Sequence, residues 1–158
     1  MKYLNQVLLA LLLFLSAEVE AGAWAVGAFE NDDALDFIWE VQNGDPPEPL
    51  SSPFKHAHHS DGYIEAGLGS RILAAAETYA ALNGKPSPDL PADFAEWLAK
   101  QQWGRDLKLV GSAENAVKMV LDIESSELAQ LWRESPEDYE AWVKSVEDLL
   151  SRLKLPAR

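Results

Sequence analysis

The chain has no cysteine among its 158 residues. Disulfides, thiolate zinc sites, iron–sulfur clusters, cysteine nucleophiles and a lipid-modified cysteine are therefore excluded. Basic residues are scarce. Thirteen Lys and Arg stand against 26 Asp and Glu, for a net charge of −13. Neutralising phosphate takes clustered cations, so this balance argues against a nucleic-acid partner and points to neutral or basic ones. Long apolar runs are missing too: the run Val7–Leu15 has nine residues, against the ~20 a membrane span needs. The chain carries no HExxH, EF-hand loop, Gly-rich phosphate loop or GxSxG elbow, and no Ser and His spacing suggests a triad. No segment alternates apolar and polar residues for long enough to read as a strand.

What is present is ordinary for a folded protein. The apolar fraction is 47% and the charged fraction 25%, which excludes disorder over the whole chain. The length fits one domain. Residues 1–21 read as a cleavable signal peptide. Lys2 supplies the positive start, Val7–Leu15 the apolar centre, and small residues follow. Cleavage after Ala21 puts Val19 at the −3 position, and cleavage after Ala23 puts Ala21 there. The expected product is exported to the periplasm or secreted, with no membrane anchor after cleavage. The domain is then 24–158.

Gly and Pro punctuate the rest. Gly44–Pro49 and Lys85–Pro91 read as loops, because their prolines remove donors and forbid helix. Between them the apolar spacing is helical. Helices are expected over Asp32–Asn43, from Ser52-Pro53 to about Ser60, and over Ser70–Asn83, Ala92–Gln102, Ser112–Asp122 and Ser126–Arg133. A last helix is expected from Ser135-Pro136 to about Lys154, with Ser135 as its capping residue. The fold class is all-α, a compact bundle of six or seven short helices. Trp24, Trp39, Trp97, Trp103, Trp132 and Trp142 mostly fall on apolar stripes and are expected in the core, with Trp103 at a surface.

Four features are candidates for chemistry. Seven acids and no base lie between Glu30 and Glu48, and Asp32, Asp36 and Glu40 share one helix face. Like charges at that spacing repel by a few tenths of a kcal/mol per pair. Such a face serves a basic partner or a cation, or it is a solvated face paired internally with Arg71, Arg105 or Arg133. His56, His58 and His59 are the three histidines, and they diverge by about 100° per residue on a helix. They read as exposed polar residues or, through His56 and His59, as a weak metal pair. Glu65 and Glu77 interrupt apolar surroundings. A buried carboxyl there would have a raised pKa and could do acid–base work, or it pairs with an Arg.

Several segments together resemble the bacterial domain of unknown function family DUF4259. Its members open with a Trp-Gly-x-Gly-x-Phe-x-Asn-Asp-x-Ala-x-Asp pattern, and Trp24 to Asp36 is similar, with Ala25 where glycine is usual. The resemblance continues in Tyr63-Ile64-Glu65-Ala66, in Leu73–Glu77 with Ala80-Ala81-Leu82, and in Ser126–Trp132. It implies a domain beginning near Trp24. It supplies no activity, but directs attention to Asn31, Asp32, Asp33, Asp36, Glu65 and Glu77. Members usually lack a signal peptide, so export would set this chain apart.

The leading expectation is a non-enzymatic envelope protein with no cofactor. It would engage a basic or neutral protein through Asn31, Asp32, Asp33, Asp36 and Glu40, with Glu65 and Glu77 as further binding residues. One alternative is a divalent-metal hydrolase built on Asp32, Asp36, Glu65 and Glu77, although the Glu-x-x-His of such helical sites is absent. The other is a purely structural envelope domain. Mass spectrometry of the exported protein should find an N-terminus at Gly22 or Trp24. A chain still beginning at Met1 outside the cytoplasm would remove cleavage from this reading.

Overall fold

A computed structural model describes residues 25–44, 48–101 and 107–154. The signal segment, Trp24, Trp103 and Arg105 lie outside them. Among the described residues there are seven helices and no strand: α1 (Asp32–Asn43), α2 (Glu48–His58), α3 (Ala66–Leu82), α4 (Ala92–Leu98), α5 (Leu107–Leu121), α6 (Glu127–Arg133) and α7 (Pro136–Leu153). None of them is long and apolar enough to cross a membrane.

The order of packing follows from α3, which touches each of the other six helices. From Gly69 to Ala80 every residue of it except Arg71 is buried. Gly69, Ser70, Ala74, Ala75, Ala76 and Ala80 are small, so neighbouring helices approach closely without leaving voids. The larger Ile72, Leu73 and Tyr79 fill the gaps between them. Thr78 returns its hydroxyl to the Ala74 carbonyl at 2.8 Å, which satisfies a buried polar group locally. The helix ends as its sequence dictates. Gly84 takes φ +79°, its N–H reaches the Ala81 carbonyl, and Lys85 N–H reaches Ala80. This is a Schellman cap, which needs a residue able to sit at positive φ.

α1 spans the expected residues. The Asn31 side chain accepts from Ala34 N–H at 2.9 Å and so satisfies one orphan donor of the first turn. Gly44 closes the helix for a steric reason: a Cβ there would lie 2.6 Å from the Glu40 carbonyl oxygen. Phe29, just before α1, packs edge-on to Phe94 of α4 at 6.2 Å, and Trp97 stacks on Phe94 at 5.9 Å. Trp142 of α7 is buried between Trp132 and Tyr139, both stacked on it at about 6 Å.

Several boundaries differ from expectation. α2 opens at Glu48, not at Ser52, and carries Pro53 inside it. Pro49 falls in the first turn, where no intrahelical donor is required. Pro53 loses one backbone bond, but it is buried beside Leu50, Phe54 and Ala57. α3 starts four residues before Ser70, and α4 stops at Leu98. α5 begins five residues before Ser112. Ser135 makes no side-chain cap; its carbonyl instead accepts from Asp138 and Tyr139 N–H. Ile64 and Ser126 form an isolated parallel bridge, with bonds of 2.8 and 2.9 Å, that ties the entry of α3 to the entry of α6.

Gly69 marks a close approach of α3 to α6. A Cβ on it would sit 3.2 Å from Leu128 Cβ and Cδ2 of α6. Gly69→Ala should therefore lower stability by about 1–2 kcal/mol, since overpacking outweighs the helix-propensity gain of ~1 kcal/mol. Gly111→Ala on α5, with nothing within 4 Å of its Cβ position, should be stabilising. Denaturant melts of the two variants check the contrast.

Candidate functional site

The acidic segment divides in two once α1 is packed. Ala34, Phe37 and Val41 are buried. Glu40 turns toward α3 and forms an ion pair with Arg71, whose guanidinium also lies 6.0 Å from the Phe37 ring centre. Asp33 is exposed, but it reaches the start of α3, where a Cβ on Gly67 would be 3.2 Å from both its carboxylate oxygens. Asn31 is buried in its capping role. Asp32 and Asp36 remain exposed on the outer face. On the same side are Leu35, 42% exposed, and Trp39, 65% exposed and nearly one turn beyond Asp36.

Trp39 therefore corrects the core expectation for tryptophan. It lies i+7 from Asp32 and i+3 from Asp36, on a side of α1 left exposed among the described residues. Its neighbour Ile38 takes the half-buried position instead. The run Phe37-Ile38-Trp39 is apolar in sequence, and only the rotation of the helix decides which of the three faces water.

Three segments that carried the family resemblance meet at the start of α3. Glu65 is exposed and gives no side-chain cap. Glu127 of α6 supplies one from elsewhere, accepting from Ala66 N–H at 2.8 Å. Asp33 of α1 stands beside the same first turn. Carboxylates at a helix N-terminus complement its dipole. The Asn31–Asp33, Ile64–Glu65 and Ser126–Glu127 stretches thus share one place, the entry to the central helix.

Glu77 is 5% exposed and makes a bidentate pair with Arg152 of α7, at 2.7 and 2.5 Å. Arg152 also donates to Asp148 at 2.6 Å and to the Lys85 carbonyl at 3.2 Å. Lys85 in turn donates to the carbonyls of Arg152 and Lys154, closing the end of α7. Burial pushes the Glu77 carboxyl above its ordinary 4.5; the bonds and charge of Arg152 pull it back, and Asp148 and Asp89 add to the rise. Burial pulls the Arg152 guanidinium down, and its bonds to Glu77 and Asp148 more than reverse this, leaving it above its ordinary value. The two shifts favour opposite states of Glu77. Two short parallel bonds to a guanidinium belong to a carboxylate, so the ionised pair is the resting state and burial sets its cost. A cleft of about 290 Å³ opens over this pair, bounded by residues 26–28, α3, the loop after it and α7.

The remaining candidates stay apart. His56, His58 and His59 are exposed, and His59 Nδ1 lies 2.6 Å from the Lys55 carbonyl. Among the described residues no three His, Asp or Glu side chains converge as a metal site. Arg152 and Lys85 were invisible as site residues in the sequence, because Arg152 stands 75 positions from Glu77.

Removing Arg152 should expose the cost of burying Glu77. Arg152→Met should destabilise the fold by about 3 kcal/mol at pH 8, the lower end for a broken buried pair. A carboxyl raised in the folded state contributes fully below its unfolded value and loses that contribution as pH rises through the folded one. The deficit should therefore shrink as pH falls toward 4.5, and the double variant Glu77→Leu/Arg152→Met should lack this dependence. Denaturant melts from pH 4.5 to 8 test it; a deficit independent of pH would contradict it.

The chain matches none of the curated proteins and none of the solved structures. A family model described as a domain of unknown function, DUF4259, matches residues 22–145. That span covers most of the chain and includes the entry to α3, so the protein belongs to the DUF4259 family.

Proposed function

We propose that this protein is a non-enzymatic binding module of the cell envelope that presents the outer face of α1 to a basic protein partner. The observation that carries the reading is the exposure of Trp39 and Leu35 beside the exposed Asp32 and Asp36. A large aromatic side chain left in water, flanked by carboxylates, has the composition of an interface centre with a charged rim. The surrounding charge is not neutralised within the fold, since the ion pairs of α1 are confined to Glu40 among the described residues. Carboxylates so placed steer a basic partner and set specificity, while Trp39 and Leu35 supply buried area. Asn31 caps the start of α1, and Asp33 stands beside the first turn of α3. Glu77 is buried against Arg152, and Glu65 stands at the entry to α3.

Export is part of the proposal. The positive start, nine-residue apolar run and small residues of the first 23 positions support it. The hydrolase alternative draws no support from geometry, because Glu77 is engaged by Arg152 and Glu65 is exposed near Ala66.

Charge reversal tests the face. Glu40 is tied to Arg71, so Asp32→Lys/Asp36→Lys leaves the packing of α1 intact and is the cleaner variant. Tagged protein should capture a basic protein from envelope extract. The reversal variant and Trp39→Ala should each lose at least about tenfold of that capture, a loss typical of a central aromatic or a cluster of steering charges. Capture unchanged in both variants would overturn the assignment to α1.

A further inference from the structure

Three Asn-Gly or Asp-Gly pairs occur in the chain: Asn43-Gly44, Asp61-Gly62 and Asn83-Gly84. A glycine nitrogen is the least hindered nucleophile a backbone offers, because no side chain shields it. It can attack the side-chain carbonyl carbon of the residue before it and close a five-membered succinimide. By residue type the two Asn pairs should react first, since a carboxylate is a poorer electrophile than an amide.

The helix ends oppose that order. Gly44 N–H donates to the Glu40 carbonyl at 2.7 Å, and the Asn43 amide donates to the Trp39 carbonyl at 2.8 Å. Gly84 N–H donates to the Ala81 carbonyl at 2.9 Å, and the Asn83 amide to the Tyr79 carbonyl at 2.7 Å. In both pairs the attacking nitrogen and its target are held on different carbonyls, so reaction needs the last turn of the helix to open. Asp61-Gly62 is built otherwise. Both residues are exposed, with φ 49° at Asp61 and 87° at Gly62. Tyr63 N–H closes the turn on the Ser60 carbonyl at 3.0 Å. The Gly62 N–H and the Asp61 carboxyl group bond to no described residue. Nothing lies within 4 Å of a Cβ placed on Gly62. The peptide between the two can therefore turn at the expense of the Ser60–Tyr63 bond alone.

We propose that Asp61-Gly62 is a site of spontaneous backbone isomerisation in the folded protein, and that the helix ends hold both Asn-Gly pairs unreactive. The Gly62 nitrogen bonds to Asp61 Cγ, and the N–H proton and the carboxyl hydroxyl leave as one water. Water then reopens the ring. Opening at Cγ restores aspartate; opening at the main-chain carbonyl of Asp61 leaves isoaspartate, whose backbone runs through Cβ and Cγ. No oxidant or cofactor is consumed. The added main-chain methylene falls just ahead of Ile64, whose N–H and carbonyl bond to Ser125 and Glu127 at the entry to α3. The proposal does not depend on α1 binding a partner.

Peptide mapping of the full chain, aged at neutral pH, tests this, with electron-transfer fragmentation to tell isoaspartate from aspartate. Isoaspartate is expected at Asp61 while Asn43 and Asn83 keep their amides. Asp61→Asn makes the three pairs chemically alike, and asparagine tolerates the left-handed backbone of that turn. In the folded variant, position 61 should deamidate at least about tenfold faster than Asn43 or Asn83, which must first break further hydrogen bonds. In urea the three rates should converge. Equal rates in the folded variant, deamidation led by Asn43 or Asn83, a gap that persists in urea, or no isoaspartate at Asp61 in the unsubstituted chain would each overturn the proposal. The unsubstituted chain decides if the variant fails to fold.

Discussion

A helix surrounded by six others has to meet several demands with one sequence. Its side chains must be small where neighbours cross, its termini must find partners for orphan backbone groups, and any charge on it must be met from another element. α3 answers each in turn. Glycine, serine and alanine set the crossings, and Gly69 fixes how near Leu128 can come. Its C-terminus is closed by its own Gly84, but its N-terminus borrows Glu127 from α6 and the nearby charge of Asp33 from α1. Glu77 receives the guanidinium of Arg152 from the last turns of α7. The other helices are thus held by chemistry centred on α3 as well as by packing.

The same centre sorts the excess of negative charge. Carboxylates that point inward become structural: Glu40 on Arg71, Glu127 on Ala66, Glu77 on Arg152. Those that point outward keep their field. On α1, Asp32 and Asp36 stand beside an exposed tryptophan. A chain with twice as many acids as bases cannot pair them all, so where the fold leaves charge unpaired carries information about what it meets.

Much of this architecture was legible beforehand. Helical periodicity, the breaks at Gly44–Pro49 and Lys85–Pro91 and the start at Ser135-Pro136 place helices without reference to tertiary contacts, because caps and breakers act through the local backbone. Pro53 misled the start of α2, since a proline that opens helices was accommodated within one by burial. The start of α3 was missed for a related reason: its cap comes from Glu127, about sixty residues away in sequence. The acidic surface was legible as composition, but Asp33 and Glu40 could not be told from Asp32 and Asp36 by type.

The sequence by itself determined an all-helical chain, its breaks, its negative charge, and the exclusion of thiol chemistry, because these depend on neighbours within a few residues or on simple counts. Membership of the DUF4259 family was likewise carried by ordered local segments. Tertiary structure decided which carboxylates are used up and which are free, that Trp39 faces water while Trp142 does not, and that Glu77 and Arg152 meet. Those outcomes depend on how each helix is rotated about its axis and on contacts between residues dozens of positions apart, neither of which a local pattern specifies.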